Sequence, residues 1–514
     1  MLVKTFGSAV YGVEAITITV EVNVSMGQGY SIVGLPDNAV RESLERTESA
    51  IKANDYYMPR TKLLVNLAPA DIKKSGSAFD LPIAIALLGA SEQLPSPERL
   101  QDYLIMGELG LDGTVQPIKG ALPIAIQARK ENFKGLIVPK ANEREAGMVS
   151  QLKVYGVSHL KELVAFFKDA SSLSPVQVNT REEFFFSQYE FDIDFADVRG
   201  QENIKRALEI AAAGAHNAIL IGPPGAGKTM LAKRMPTIMP PLTLQEALET
   251  TKIHSVAGKL PTNASLINRR PFRSPHHTIS DMALVGGGSS PQPGEISLAH
   301  NGVLFLDELP EFKRSVLEVM RQPMEERKVA ISRARMALDF PANFMLLASM
   351  NPCACGYYNH PEKACTCPAG AVQKYLNKVS GPLLDRIDLH VEVTPVAFQE
   401  LNESTPKGES SDMIRERVIK AREIQLERYA SLPGVFANAQ VNSNLLRDIC
   451  QLSKVGEALL KKAMERLQLS ARAYDRILKV SRTIADLSGS ADVKPEYLAE
   501  AIQYRSLDRA SWAG

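Results

Sequence analysis

Ala218-Ile-Leu-Ile-Gly222-Pro-Pro-Gly-Ala-Gly-Lys228-Thr229 joins a short apolar run to a glycine-rich loop. Residues 222–229 match the pattern G-x-x-x-x-G-K-[ST], in which backbone N–H groups surround phosphate oxygens. The apolar run before the loop predicts a strand, and residues 230–235 predict the start of a helix whose N-terminus favours an anion. Because the flanks agree with the motif, a chance glycine loop is disfavoured. The residues predicted to hold the nucleotide phosphates are Gly222, Pro223, Pro224, Gly225, Ala226, Gly227, Lys228 and Thr229.

About eighty residues further on, Val303-Leu-Phe-Leu-Asp307-Glu308 is an apolar run that ends in two acids. A buried strand can deliver a carboxylate to the Mg²⁺ ion beside the phosphates. We therefore predict that Asp307 and the Thr229 hydroxyl bind Mg²⁺ and that Glu308 polarises the attacking water. A solvated strand edge is the alternative, and the nearby phosphate loop disfavours it.

Short apolar runs at 218–221, 303–306 and 345–348 alternate with helical segments. Such runs are typical of buried parallel strands, so residues 191–396 are predicted to form an α/β domain. A polar stretch at 397–411 separates it from residues 412–514, whose pattern is helical and predicts an all-α lid.

The first 168 residues predict a separate N-terminal domain. Residues 16–24 alternate between apolar and polar side chains, which predicts a half-buried strand. Val40, Leu44, Thr47 and Ile51 follow a helical stripe, with Asp37 as the N-cap. A serine-containing stretch within 169–190 predicts the linker to the α/β domain.

The composition is that of an ordinary globular protein, with 45% hydrophobic and 23% charged residues in 514. A net charge of +1 provides no overall attraction to nucleic acid, so any such affinity must be local. No apolar run approaches the roughly 20 residues that cross a bilayer. Glu14 and Glu21 interrupt the N-terminal region, which argues against a secretory signal. We expect a cytoplasmic protein with no membrane partner.

Three further segments resemble the magnesium-chelatase-like and MCM-like branch of the AAA+ ATPases. They are Arg270-Pro-Phe-Arg-Ser-Pro-His-His277, Gly294-Glu-Ile-Ser-Leu-Ala-His300 and Leu383-Leu-Asp-Arg-Ile-Asp-Leu-His390.

By position, the resemblance implies catalytic roles for Asn351, Arg386 and Arg472 beside Glu308. Asn351 is similar to the sensor-1 asparagine, Arg386 to the arginine finger for a neighbour's γ-phosphate, and Arg472 to the sensor-2 arginine. A site completed by a neighbour implies a ring, commonly a hexamer in this branch. For Arg386, a surface ion pair with Asp385 or Asp388 is the alternative.

No acidic residue occurs between Glu249 and Asp281, a segment that contains Arg269, Arg270 and Arg273. A second acid-free stretch, 327–338, predicts a hairpin with Arg333 and Arg335 at its turn. These five arginines are the predicted DNA contacts.

The resemblance places the two segments in the helix-2 insert (about 252–293) and the pre-sensor-1 hairpin (about 327–341), which line the ring's pore. Arginines facing a channel would bind phosphates without reading sequence. A solvated face or a subunit contact is the alternative.

Cys353-x-Cys355 and Cys365-x-Cys367 form two short arms within residues 353–367. Four thiolates can close a tetrahedral site, which predicts a structural Zn²⁺. An iron–sulfur centre or reduced thiols are the alternatives. The fifth cysteine, Cys450, lies in a helical apolar pattern and is predicted to be inert in the core.

Residues 74–81 and 107–120 resemble the Lon-protease-like domain, which pairs a catalytic serine with a lysine. Ser77 falls near the serine position, whereas Pro123 stands at the lysine position and Lys119 lies close but out of register. A proline has no amine to accept a proton, so the domain is predicted to be proteolytically inactive.

The order of these parts resembles the ComM/YifB family of bacterial proteins. The resemblance implies an α/β P-loop AAA+ core with an all-α lid, preceded by an α+β Lon-protease-like domain of the ribosomal-S5-domain-2 type. It also implies a hexameric helicase, assembled with ATP and DNA, that promotes branch migration during natural transformation on single-stranded and branched DNA. A magnesium-chelatase-like metal-insertion chaperone and an ATP-dependent protease are the competing functions.

Overall fold

The computed structural model describes residues 1–179, 184–185, 188–261, 266–288, 291–333, 336–360, 362–395 and 408–505. For residues 332, 333 and 336 it describes the backbone only.

The N-terminal unit is built on a mixed seven-stranded sheet, in the order β3-β4-β2-β1-β5-β8-β9. Its strand β2 confirms the alternation seen in the sequence, because Ile18, Val20 and Val22 are fully buried. A small two-stranded sheet, β6-β7, lies beside it. The strands are β1 (Leu2–Tyr11), β2 (Glu14–Ser25), β3 (Tyr30–Val33), β4 (Lys62–Ala68), β5 (Tyr103–Ile105), β6 (Glu108–Leu109), β7 (Val115–Gln116), β8 (Gly135–Pro139) and β9 (Val154–Val157).

Helices cover this sheet, and the predicted helix after Asp37 is divided in two at Glu42. Asp37 caps the first helix as predicted, since its carboxylate accepts a hydrogen bond from the Val40 N–H at 2.9 Å. The apolar stripe nevertheless stays on one buried face across the break. The helices are α1 (Asn38–Arg41), α2 (Ser43–Ala53), α3 (Asp80–Ala90), α4 (Ala121–Lys130), α5 (Glu143–Gly147) and α6 (Leu160–Lys168).

The second unit has a five-stranded sheet in the order β11-β14-β17-β10-β18, and its paired strands all run parallel. The three runs predicted as buried strands form its centre, and each is fully buried. Two further pairs, β12-β13 and β15-β16, are antiparallel. The strands are β10 (Ala218–Ile221), β11 (Phe272–Arg273), β12 (Gly286–Gly287), β13 (Gln292–Pro293), β14 (Val303–Leu306), β15 (Lys328–Arg333), β16 (Met336–Pro341), β17 (Met345–Met350) and β18 (Leu389–Glu392).

Helices of this unit follow the strands and place the site residues at the carboxyl ends of β10, β14 and β17. Helix α8 begins directly at the lysine of the glycine-rich loop. The helices are α7 (Glu202–Gly214), α8 (Lys228–Ile238), α9 (Leu244–Ala257), α10 (Asp281–Val285), α11 (Glu295–Leu298), α12 (Arg314–Glu318), α13 (Arg321–Glu326), α14 (Ala371–Leu376) and α15 (Gly381–Leu384).

The C-terminal part is helical in the described residues, as its sequence pattern predicts. The central helix α19 is strongly amphipathic and buries Ile477, Val480 and Ile484 against the core of the sheet unit. The helices are α16 (Ser411–Arg428), α17 (Ser443–Ile449), α18 (Lys454–Leu467), α19 (Ala471–Leu487) and α20 (Pro495–Gln503).

Helix α9 docks the sheet unit onto the N-terminal unit. The Ser255 hydroxyl donates a short hydrogen bond to Glu145, and Lys252 pairs with Glu14 at 3.1 Å. Burial raises the pKa of the Glu145 carboxyl. The two units therefore share a packed, partly ionic contact.

None of the helices in the described ranges combines the length and the apolar composition that a bilayer-spanning segment needs.

Candidate nucleotide-binding and hydrolysis site

The glycine-rich loop between β10 and α8 forms one wall of a cleft of about 430 Å³. Gly225 and Gly227 have φ values of +78° and +83°, which only glycine adopts without strain. Gly222 must lack a side chain for another reason, since a Cβ there would lie 2.3 Å from the carbonyl oxygen of Val393. The loop conformation therefore depends on glycine at these three positions.

Lys228 places its ammonium group inside this loop. Its Nζ donates to the carbonyl oxygens of Gly222 and Pro223 at 2.7 and 2.9 Å and to Asn351 Oδ1 at 3.1 Å. Burial lowers the pKa of Lys228. Phosphate oxygens would add negative charge close to this buried cation, beyond that of Asp307 and Glu308.

Asp307 lies opposite the loop, where β14 ends. Its carboxylate accepts a hydrogen bond from the Thr229 hydroxyl at 2.7 Å and a short one from the Ser349 hydroxyl. Thr229 and Asp307 thus present two oxygen donors to one point in the cleft, which is the ligand type that Mg²⁺ prefers. The residues predicted to bind the metal are brought together.

Glu308 follows with a left-handed backbone, φ +54° and ψ +50°, which is unfavourable for a residue with a side chain. Strain of this kind costs about 1–3 kcal/mol and accumulates at functional positions. Its carboxylate is 59% exposed and faces His277, with 3.9 Å between Oε2 and Nδ1. Glu308 is therefore available to a water molecule in the cleft.

Sequence reasoning overlooked two residues that support this site. Ser349, at the end of β17, orients Asp307 through its hydroxyl. Gln201 donates from Nε2 to the carbonyl oxygen of Ala226 at 2.9 Å and so braces the loop from outside. The position of Ser349, two residues before Asn351, could have indicated its role. No motif near Gln201 in the sequence indicates its contact with the loop.

Arg386 and Arg472 do not reach the nucleotide cleft of their own chain. Arg386 lies just before β18. The first residue of β18, Leu389, pairs with Ala218, the first residue of the parallel strand β10, whereas the phosphate loop follows the last residue of β10. Arg386 is 9% exposed and pairs with Glu325 at 2.6 Å. Arg472 lies nearby, 3.3 Å from Asp385. Both arginines therefore lie at the end of the sheet opposite to Lys228.

The arginines of the insert are bound within the fold. Arg270 donates to the carbonyl oxygens of Pro240 and Asn301 and pairs with Glu246 at 3.3 Å.

Arg273 makes a two-pronged contact with Glu295 at 2.6 and 2.7 Å. Arg269 is more exposed, 3.8 Å from Glu190 and above the ring of Phe191. Because Arg270 and Arg273 are held by carboxylates of the same chain, they contribute little net charge to the surface.

The two strands of the predicted hairpin form as β15 and β16, an antiparallel pair in which Arg333 is opposite Met336. Val329, Ile331 and Phe340 are buried at its base. Arg335 lies outside the described residues, and only the backbone of Arg333 is described. The described strands of the hairpin are therefore anchored in the core of the sheet unit.

The four cysteines of the 353–367 segment converge, with all four sulfur atoms within 4.8 Å of one another. The Sγ–Sγ distances from Cys353 to Cys355 and Cys365 are 3.3 and 3.8 Å. A tetrahedral Zn²⁺ with bonds of about 2.3 Å would separate its sulfurs by about 3.8 Å, so the donor set fits a metal ion. Backbone N–H groups, that of Tyr357 first, lower the pKa of Cys355 to about 5.

This cysteine cluster touches the nucleotide site. A Cβ on Gly356 would lie 2.6 Å from Pro224 in the phosphate loop. His360 takes no part, because its Nδ1 accepts from the backbone N–H groups of Glu362 and Lys363 at 3.1 Å. Any metal held here would brace the segment that follows Asn351.

Ser77 opens onto a cavity of about 450 Å³ between the N-terminal unit and the sheet unit, which Glu108 and Lys119 also line. Its hydroxyl donates a short hydrogen bond to Glu108. Pro123 is buried in α4. The serine is therefore paired with a carboxylate in place of the amine that a Lon-type protease uses.

Comparisons with known proteins agree with this geometry. Residues 194–401 match a family model described as magnesium chelatase, subunit ChlI. Residues 20–142 and 408–505 match models for subunit ChlI of Mg-chelatase and for its C-terminal part.

Two full-length relatives decide the family. The chain is 43% identical over 509 residues to the competence protein ComM of Haemophilus influenzae, covering 99% of this chain and 98% of that protein. It is 44% identical over 509 residues to the uncharacterized protein YifB of Escherichia coli, covering 98% of this chain and 96% of that protein. The chain belongs to the ComM/YifB family.

This ComM/YifB family chain therefore has a magnesium-chelatase-like AAA+ unit, as the sequence resemblance implied. The N-terminal region is similar to Lon protease 2 of Bacillus subtilis, at 32% identity over 154 residues, which is 27% of this chain and 26% of that protein. The predicted fold class is confirmed. Membership of the AAA+ family indicates an ATPase that uses ATP and Mg²⁺.

Proposed function

We propose that this chain is an ATP-driven ring, a homohexamer promoted by ATP and DNA, that moves on DNA and drives branch migration of recombination junctions during natural transformation. The observation that carries the proposal is the position of Arg386. It lies at the opposite end of the sheet from Lys228 of the same chain. An arginine finger placed there can serve only a nucleotide bound by a neighbouring subunit.

Arg472 supports the same arrangement. Its side chain is 63% exposed and contacts Asp385, the residue before Arg386. Two arginines on one face supply the positive charge that a phosphoryl-transfer transition state requires. In this proposal Lys228, Thr229, Asp307, Glu308 and Asn351 belong to one subunit, and Arg386 and Arg472 to the next.

The proposed DNA contacts centre on the hairpin. Arg333 is the last residue of β15, and Arg335 lies two residues further on, outside the described residues, while Arg270 and Arg273 are held by Glu246 and Glu295. Cations on a hairpin that projects into a ring would bind the backbone of a threaded strand without sequence preference. The relative from Haemophilus influenzae is named a competence protein, which supports DNA as the substrate.

Replacing Arg333 and Arg335 together with alanine is expected to abolish the stimulation of ATP hydrolysis by single-stranded DNA while basal hydrolysis survives. The change removes phosphate contacts but leaves Lys228 and Asp307 in place. The rate of phosphate release, compared with and without single-stranded DNA, measures this stimulation. Lys328→Ala is the matched control, since Lys328 already pairs with Asp339 at 2.8 Å and an exposed pair is worth little. Stimulation that persists in the double variant contradicts the assignment.

We further propose that the four-cysteine cluster holds Zn²⁺. The close sulfurs and a neighbouring phosphate loop suit a metal that has no redox chemistry and fixes a loop. The ion would hold the residues after Asn351 in place and take no part in hydrolysis.

Elemental analysis is expected to find about one zinc per chain, and the Cys355→Ser/Cys365→Ser variant is expected to lose it, because four thiolates are needed to close the site. Cys450→Ala is the matched control. Cys450 is 4% exposed, and burial raises its pKa to about 12, so it stays a neutral thiol. Iron in the purified protein, or zinc that survives the double substitution, would contradict the proposal.

One assay separates the proposed function from its competitors. Purified protein is incubated with ATP, Mg²⁺ and a labelled three-strand or forked DNA, with casein in parallel. We expect strand displacement that Lys228→Ala abolishes, and intact casein, because Ser77 is paired with Glu108. Cleaved casein would favour the protease, and DNA that remains fully paired would favour the metal-insertion chaperone.

The proposed domain boundaries are 1–168 for the Lon-like domain, 191–396 for the ATPase core and 412–514 for the lid, with linkers at 169–190 and 397–411. We propose that the protein acts in the bacterial cytoplasm, where ATP and recombining DNA are both present.

A further inference from the structure

A second cavity, of about 270 Å³, lies between the sheet unit and the helical lid. It is found at the amino ends of the parallel strands, where Gly302 precedes β14, Met345 begins β17 and Asp388 precedes β18. The phosphate loop follows the carboxyl end of β10. This cavity is therefore separate from the nucleotide cleft of the same chain.

The cavity wall is rich in cations. Both the sheet unit and the lid contribute basic side chains, so the charge is concentrated where the two units meet. The basic residues are Arg270, Arg327, Arg386, Arg422, Arg476 and Lys479.

Three acidic residues line the same cavity, and each already has a basic partner. Glu246 lies 3.3 Å from Arg270, and Glu325 lies 2.6 Å from Arg386. Asp388 is fully buried and lies 2.9 Å from Arg476. The three carboxylates are thus paired with three of the six cations, Arg270, Arg386 and Arg476.

The other three cations have no carboxylate partner among the described residues and donate to backbone carbonyl oxygens. Arg327 donates to Gly434 at 2.7 Å, Arg422 to Ala212 at 3.1 Å, and Lys479 to Ala439 at 3.0 Å. A carbonyl oxygen satisfies a donor but does not pair its charge. More distant carboxylates offset these charges only in part, Asp388 and Asp475 for Lys479 and Glu246 for Arg422.

Burial lowers the pKa of all three groups, and neighbouring cations lower the pKa values of Lys479 and Arg422 further. Burial, and then Arg476, lower the pKa of Lys479 to about 8. Burial, and then Arg270, lower the pKa of Arg422 to about 9. Burial also lowers the pKa of Arg327. An anion in the cavity would reverse these shifts, because it would offset the charge that burial makes unfavourable.

We propose that this cavity is a binding site for a small inorganic oxyanion, phosphate or pyrophosphate, held by Arg327, Arg422 and Lys479. Guanidinium and ammonium donors match the oxygens of phosphate in charge and geometry. A water molecule occupies about 30 Å³ in the liquid, so a cavity of about 270 Å³ has the volume of about nine waters and has ample room for an anion of this size.

The site would act on Arg386, which lines the same cavity. An oxyanion bound there would attract the Arg386 guanidinium and keep the side chain inward, beside Glu325. Free phosphate, a product of hydrolysis, would then slow the movement of the Arg386 side chain toward the nucleotide of a neighbouring subunit. This consequence rests on the proposed role of Arg386, whereas the binding site does not.

Calorimetric titration of the full chain with inorganic phosphate and with pyrophosphate tests the proposal. The Lys228→Ala background removes phosphate binding by the nucleotide loop. We expect about one site per chain, with affinity lowered roughly tenfold or more by Lys479→Gln, because a hydrogen bond to a charged group is lost. Lys461→Gln, which changes an exposed lysine of α18, is the matched control and should leave the affinity unchanged.

Arg327→Gln provides a second variant in case Lys479→Gln does not fold, since Arg327 is only partly buried. It should lower phosphate affinity by a similar factor. Absence of phosphate binding in the Lys228→Ala protein would overturn the site. Equal heats with sodium chloride at matched ionic strength, or affinity unchanged in the folded cavity variants, would overturn it as well. Strand displacement is measured separately, so its loss or survival bears only on the proposed function.

Discussion

Replacing Glu308 with glutamine is expected to lower ATP hydrolysis by about 10²–10⁴-fold, the usual contribution of a positioned general base. Glutamine keeps the size of the side chain but cannot accept or strongly polarise the proton of the attacking water. ATP binding is expected to survive, because Lys228, Thr229 and Asp307 are unchanged. Phosphate release gives the hydrolysis rate, and a fluorescent ATP analogue gives the affinity.

Glu311→Gln is the matched control for this substitution. Glu311 lies three residues further on, is 46% exposed and pairs with Lys378 at 3.0 Å. A surface pair of this kind contributes at most about 1 kcal/mol, so hydrolysis should be little affected. If Glu308→Gln hydrolysed ATP at a rate close to that of the control, another residue would have to activate the water.

Replacing Arg386 with alanine is expected to lower ATP hydrolysis by roughly 10³–10⁵-fold, the range found for arginine fingers. ATP affinity should stay nearly constant, since Arg386 does not reach the nucleotide cleft of its own chain. Its partner Glu325 is 56% exposed and remains hydrated when the arginine is removed, so the fold should persist. The measurements are the rate of phosphate release, nucleotide affinity and thermal unfolding.

Arg321→Ala is the corresponding control, because Arg321 lies on α13, the helix that also carries Glu325. It pairs with Glu318 at 2.7 Å and is 36% exposed. Its loss should change hydrolysis only slightly. Arg386→Ala protein that is folded and hydrolyses ATP at the normal rate would show that Arg386 is no finger.

Local patterns in the sequence were sufficient to predict which residues the candidate nucleotide cleft brings together. Gly225 and Gly227 have positive φ, Lys228 begins a helix, and Asp307 directly follows an apolar strand. Each of these features therefore depends on only a few neighbouring residues. The left-handed backbone of Glu308 and the support from Gln201 were not predictable, because neither depends on residues next to them in the sequence.

Charge counted along the chain was a weaker guide. The stretch from 250 to 280 has no acid, yet Arg270 and Arg273 pair with Glu246 and Glu295, which lie just outside it. A window of sequence cannot show which carboxylates fold against it. The same reason hid the second cavity, whose cations come from the insert, the residue after α13, the segment before β18 and the lid.

Helix boundaries show a third kind of limit. The stripe from Val40 to Ile51 predicts one helix, whereas the structure has two that meet at Glu42. The break is invisible in the pattern because the apolar residues on both sides of it stay on the same buried face. Hydrophobic spacing reports which face is buried and is insensitive to a single irregular residue.

Mixing two inactive variants is the most direct test of the central claim, that neighbouring subunits share each hydrolysis site. Lys228→Ala retains Arg386 but cannot hold the phosphates, and Arg386→Ala holds them but lacks the finger. Random assembly of equal amounts in a ring completes about one interface in four, so hydrolysis should return to about a quarter of the wild-type rate at most. A mixture that assembles but stays as inactive as its components would contradict the shared site.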